Sequence, residues 1–189
     1  MAKPSIPITG LPEADELLVT DPLALLIGML LDQQVPMEWA FKGPWSLKDR
    51  LGGELDAGAI AAMGEDAVVE VFCAKPALHR YPAVMGRRTH ELCQFLVDHY
   101  DGDAGRVWRD APDADTLRAN LGSLPGFGEM KVKSLGSVLA KQFGVEAAQD
   151  LVPWHPTLGD VDSPQALADY QAAKRIHKAE WQKARAGAA

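Results

Sequence analysis

Apolar residues recur along this chain at helical spacing and nowhere alternate for long enough to make a strand, so the pattern predicts an all-α protein. Residues 13–20 read as a short helix. Asp21-Pro22 marks a new start, with Asp as N-cap and Pro in the first turn. Leu23, Leu26, Ile27, Leu30 and Leu31 then share one face of a long helix expected to end between Asp32 and Phe41. Lys42-Gly43-Pro44 is expected to break it, because proline lacks an N–H and glycine is a poor helix former. Three further short helices, over 46–51, 56–63 and 65–73, are separated by Gly52-Gly53 and Gly64, and Lys75-Pro76 opens a loop. Residues 84–100 place Leu92, Cys93, Phe95, Leu96 and Tyr100 on one side of a helix that stops at Asp101-Gly102-Asp103, and a short helix at 105–109 follows. Two more helices, over 113–121 and from 129 to about Phe143, flank a glycine-bearing turn, and Gly144 ends the second. Pro153 to Pro164 reads as loop. Residues 165–185 form an Ala/Lys-rich helix whose few apolar positions are Leu167, Tyr170, Ile176 and Trp181, so it either packs loosely or is partly disordered.

The turn between the last two core helices, Leu124-Pro125-Gly126-Phe127-Gly128, carries the most chemistry. Two glycines two residues apart permit positive φ and leave no Cβ in the way of an approaching group. The backbone amides of Gly126, Phe127 and Gly128 can then converge on an anion at the dipole-positive end of the following helix. The same residues would serve a plain helix–helix corner that needs glycine for geometry alone.

Composition narrows the reading. With 189 residues and 47% hydrophobic content, the chain can bury a core as one domain or two small helical lobes. A net charge of −7 argues against a general affinity for nucleic acid, where Lys and Arg normally dominate binding. The basic residues are clustered, however: Arg80, Arg87, Arg88 and His90; Lys131 and Lys133; then Lys174, Arg175, His177, Lys178, Lys183 and Arg185. Local field therefore decides, and modest, salt-sensitive binding is expected. Cys73 and Cys93 make neither a disulfide framework nor a zinc or iron–sulfur ligand set, and are expected to be free core thiols. The histidines show no metal-ligand spacing. Residues 1–8 lack the apolar stretch of a signal peptide, and Leu23–Leu31 is roughly half a bilayer span, so no membrane partner and a cytoplasmic location are expected.

In order, three blocks resemble the helix-hairpin-helix (HhH-GPD) superfamily of base-excision DNA glycosylases. These are Pro22 through Gln34, Pro76 through Gly102, and the Leu124–Gly128 hairpin with its flanking helices. The similarity is to endonuclease III-like enzymes, in particular small, cluster-free actinobacterial-type members, and covers roughly residues 15–150. It implies two helical lobes with a DNA cleft in residues 1–150, followed by a loop and polar C-terminal helix or tail in 151–189. It also implies double-stranded DNA with a damaged base as partner, the base being rotated out of the duplex.

On that resemblance the plug for the vacated space falls on Gln34, which could equally be an ordinary exposed glutamine at a helix end. The carboxylate that assists N-glycosidic cleavage falls on Asp150, 22 residues after Gly128, although Gln149-Asp150-Leu151-Val152-Pro153 departs from the family's local sequence. Asp160 and Asp162 are alternatives. The lysine nucleophile of bifunctional members would stand two residues after the second hairpin glycine, where this chain has Met130, so monofunctional hydrolysis without strand incision is implied. Lys131 and Lys133 reach either backbone phosphate or solvent. No cofactor is expected beyond a monovalent cation that the hairpin carbonyls could hold. Trp39, Trp45, Trp154 and Tyr81 either stack on an extruded base or serve as core. The alternatives to a glycosylase are a non-catalytic DNA-binding or damage-sensing module and a helical protein–protein adaptor.

Overall fold

The computed structural model describes the backbone of residues 4–186 and the side chains from Pro4 to Ile176. The helices are α1 (Pro12–Thr20), α2 (Pro22–Leu31), α3 (Met37–Arg50), α4 (Ala57–Ala62), α5 (Glu65–Cys73), α6 (Pro82–Tyr100), α7 (Arg106–Arg109), α8 (Ala114–Ser123), α9 (Glu129–Lys141) and α10 (Pro164–Ala186). Two 3-10 helices, Glu146–Leu151 and Leu158–Asp160, lie between α9 and α10. The fold is all-α, with no strand among the described residues.

The centre of the molecule is α2, in which every residue from Leu23 to Leu31 is buried. A helix apolar on all sides has to be surrounded, and α1 and α3 pack against it. Each fully buried Leu or Ile contributes about 1.5–3 kcal/mol, so this segment anchors the core. Its start is fixed by Asp21, whose carboxylate accepts from the amides of Leu23 at 2.9 Å and Ala24 at 3.3 Å. Around this centre α4 and α5 pack on α6, while α8, α9 and the two 3-10 helices pack together.

The expected long helix is in fact two. α2 stops at Leu31, residues 32–36 form a turn, and α3 runs straight through Lys42-Gly43-Pro44, the predicted break. Close packing explains the difference. A Cβ on Gly43 would lie 2.5 Å from Leu31 Cδ1, so glycine lets α3 approach α2, and Pro44 is buried as well. The missing proline amide costs one hydrogen bond, and the helix-on-helix burial offsets it. Residues 46–51, expected as a separate helix, belong mostly to the end of α3.

Cys93 is buried, and burial pushes its thiol up to about 12, with Asp56 adding to the effect. Cys73, expected in the core, is exposed at the end of α5. The Pro153–Pro164 loop contains a structured turn: Thr157 and Asp160 form a capping box, and Leu158 and Val161 are buried. Leu167 and Tyr170 of α10 pack partly against the core. The side chains of His177, Lys178, Trp181, Lys183 and Arg185 fall outside the described residues.

Candidate nucleic-acid interface

The hairpin between α8 and α9 is built from its two apolar residues outward. Leu124 and Phe127 are buried and pin the turn from beneath, while the Phe127 amide donates to the Leu124 carbonyl at 3.0 Å. Gly126 has φ +80, and a Cβ there would stand 2.6 Å from Leu30 Cδ1. The turn therefore needs glycine for conformation and for its close approach to α2. Gly128 is different: its φ is −89, it is exposed, and nothing lies within 4 Å of where a Cβ would project. It is the N-cap of the thirteen-residue α9 and provides no side-chain cap. Of the three amides expected to clasp an anion, that of Phe127 is already spent inside the turn. Among the described residues no acceptor engages those of Gly126 and Gly128. The uncapped end of α9 leaves donors with a favourable dipole facing outward.

The two hairpin lysines go elsewhere. Lys133 pairs with Glu129 one turn earlier at 2.7 Å, both exposed. Lys131 turns inward: its Nζ donates to the carbonyls of Met29 and, at 2.8 Å, Leu30, and lies 5.7 Å from the centre of the Phe127 ring. It thus satisfies the open C-terminal end of α2. Burial pulls its pKa down to about 8, against the opposing pull of Asp32. Asp32 shifts upward, chiefly from burial, although Lys174 and Lys131 draw it the other way. The α10 helix borders this polar cluster, with Gln171 Nε2 donating to Glu38 Oε1 at 2.7 Å and the Tyr170 hydroxyl pushed up to about 12 by burial, Asp32 and Asp160 adding.

Gln34 is exposed on the turn after α2, with φ +56. Its neighbour Gln33 is held on both ends of its amide, donating to Leu30 at 2.7 Å and accepting from Arg88 at 2.8 Å. His79 ties the same turn to the loop before α6, its Nε2 lying 3.1 Å from the carbonyls of both Leu31 and Gln33. Arg88 also lines an open groove of about 720 Å³ along α6, together with Arg87, His90 and Pro125 of the hairpin. Three basic residues of α6 thereby share one surface with Pro125 of the turn, although Glu65, Glu91 and Asp98 line it too.

Asp150 stands apart from these groups. It is exposed on the Glu146–Leu151 3-10 helix and lines a different groove with Trp108, Arg109, Pro112, Asp113 and Phe143. Asp160 is engaged in its capping box and in a 2.6 Å ion pair with Lys141, and Asp162 is exposed. Met130, in the place of a lysine nucleophile, is 78% exposed.

His79 and Asp32 were not singled out from sequence as site residues, and Arg88 was named only within a basic cluster. For Asp32 the available signal was a polar side chain at the end of a wholly apolar helix. Among the described residues no group of three or more His, Cys, Asp or Glu side chains comes together as a metal ligand set, and no helix is long and apolar enough to cross a membrane. Comparison of the chain with protein-family models, curated proteins and solved structures finds no match.

Proposed function

We propose that this chain is a DNA-binding protein of the helix-hairpin-helix glycosylase type, two-lobed and working inside the cell, which removes a damaged base by hydrolysis of its N-glycosidic bond. The observation that supports it is the uncapped, glycine-bounded start of α9, where Gly128 is exposed and its amide has no acceptor among the described residues. A phosphate oxygen is the ligand such a helix end takes most readily. Arg87 and Arg88 share a groove with Pro125 of the turn and offer guanidinium groups to phosphate, although Glu65, Glu91 and Asp98 line the same groove and leave it without net positive charge. On this reading Gln34 probes the duplex and Asp150 stabilises the positive charge that develops as the bond breaks.

The decisive variant is Gly128→Asp. The site has room, φ is ordinary, and Asp is a better N-cap than Gly, so the fold should gain about a few tenths of a kcal/mol. The same carboxylate would repel phosphate. A higher Tm with weaker, less salt-sensitive duplex binding is the expected result, and unchanged binding would leave the turn as a structural corner.

Base removal is read by alkali cleavage of duplexes carrying uracil, hypoxanthine, alkylated or oxidised bases. Product from wild type and none from Asp150→Asn is expected, with no borohydride-trapped covalent complex. A second reading, a damage sensor without catalysis, is favoured by the position of Asp150 in a groove that shares no lining residue with Gln34 or the hairpin. It is identified by lesion-selective binding without cleavage of any substrate in that panel.

A further inference from the structure

The groove that Asp150 lines has a floor and a rim of different character. Trp108, Pro112, Phe143 and Val145 make the floor apolar, in an open hollow of about 610 Å³ between α7, the start of α8 and the Glu146–Leu151 3-10 helix. Its rim carries Asp113, Glu146 and Asp150, all exposed, and a single cation, Arg109. That cation is already paired, since its guanidinium is held by Asp103, which does not line the groove. Asp113 stays ionised, because the Thr116 amide that it caps draws its carboxyl below the usual range. Among the described residues no ion pair engages Glu146 or Asp150. Three carboxylates therefore face the hollow uncompensated, which repels a phosphate-bearing ligand and attracts a cationic one.

The same chain carries a segment of opposite character and leaves it uncovered. α10 is fixed to the body by its first half, where Leu167 and Tyr170 pack partly against the core and Gln171 donates to Glu38 at 2.7 Å. Beyond them Arg175 is exposed and Ile176 is 61% exposed. The sequence runs the same way. From residue 174 onward five Lys and Arg residues stand against Glu180 as the one acid, while the preceding residues hold the acidic excess behind the net charge of −7. No described residue of α10 lines the groove, so a chain does not cover its own. A helix surface with an apolar side chain beside a guanidinium is the complement of an apolar floor beside free carboxylates.

We propose that this groove receives α10 of a second copy of the chain, Ile176 seating on the Phe143 and Val145 floor and Arg175 pairing with Glu146 on the rim. Charge complementarity selects this occupant, and every molecule presents both halves of the contact. The proposal does not rest on the DNA-binding reading and uses Asp150 only as a rim carboxylate.

Sedimentation velocity of the full chain over a range of concentrations, at low and at high salt, tests it. Wild type should self-associate at low salt and dissociate as salt is added, since exposed charge pairs are screened. Glu146→Lys and Arg175→Glu, both at exposed positions, should each weaken association about tenfold, and the two combined in one chain should restore it. Ile176→Ser should also weaken it about tenfold while leaving the salt dependence in place. A wild type that stays monomeric at every concentration overturns the proposal. Association that survives both charge reversals, or that the combined reversal fails to restore, overturns it as well. A monomer that binds oligolysine through Glu146 also overturns it and assigns the groove to a basic segment of another protein. DNA binding by the hairpin is measured separately through Gly128→Asp, so either reading can fail while the other stands.

Discussion

Replacing Lys131 with methionine separates the two energies that meet at this side chain. Its ammonium satisfies the terminal carbonyls of α2, Met29 and Leu30, at the cost of being drawn out of water. Hydrogen bonds from a charged donor contribute about 1.5–3 kcal/mol each. A folded-state pKa of about 8 against an ordinary 10.5 sets a penalty of about 3 kcal/mol on the charged form at neutral pH. Two such bonds set against that penalty leave a net of about 0–3 kcal/mol, so Lys131→Met should lower stability at pH 7 by no more than about 3 kcal/mol.

The pH dependence should change as well. Because the folded-state pKa lies below the unfolded one, the unfolded chain holds more protons between about pH 8 and 10.5, and stability rises with pH across that window. From pH 7 to about pH 9.5 this one group should add about 2 kcal/mol to the wild type and nothing to the variant. Urea unfolding at both pH values measures it, and taking wild type minus variant cancels the opposite contribution of Cys93, whose raised pKa destabilises the fold above about pH 9. A wild-type-minus-variant difference that stays flat over this range would show that the amine is solvated, and would return Lys131 to the list of side chains free to reach phosphate.

Four further outcomes follow from particular contacts. A Cβ on Gly159 would stand 2.3 Å from the Ser137 carbonyl oxygen, backbone against backbone, so Gly159→Ala should cost about 3 kcal/mol in denaturant unfolding. Gly126→Ala forces a side chain into φ +80 and against Leu30, and a loss of about 1–2 kcal/mol is expected; none at all would mean the turn is not held as described. Asp21→Ala removes both side-chain bonds at the start of α2 and should lower stability by about 1 kcal/mol in the same assay. Burial depresses the His79 pKa, so the unfolded chain takes up that proton first as pH falls below about 6.5. Wild type should therefore lose stability toward acid more steeply than His79→Gln, and identical acid limbs would contradict the neutral, locked imidazole.

The helical class, the starts of α1, α8 and α9, and the turn between the last two were legible in the chain, because each is set by local chemistry: apolar spacing, an Asp at an N-cap, a glycine pair at a turn. The fusion of residues 37–50 into one helix across Gly43-Pro44 was not legible, since it depends on how closely α3 approaches Leu31, a contact made with another helix. The candidate site divides along the same line. Gly126 and Gly128 were identified from their residue type and spacing and Gln34 from the family resemblance, and each is exposed. Lys131 looked from sequence like a surface cation, but packing of α9 against the end of α2 turned it inward. His79, which connects two segments more than forty residues apart, gained its role only through carbonyl groups that the fold brings to it. Sequence alone determines what a residue can donate, accept or avoid, since those are properties of short stretches of chain. Tertiary structure decides which partner it meets and whether water remains, because burial and long-range contact exist only once the helices have packed.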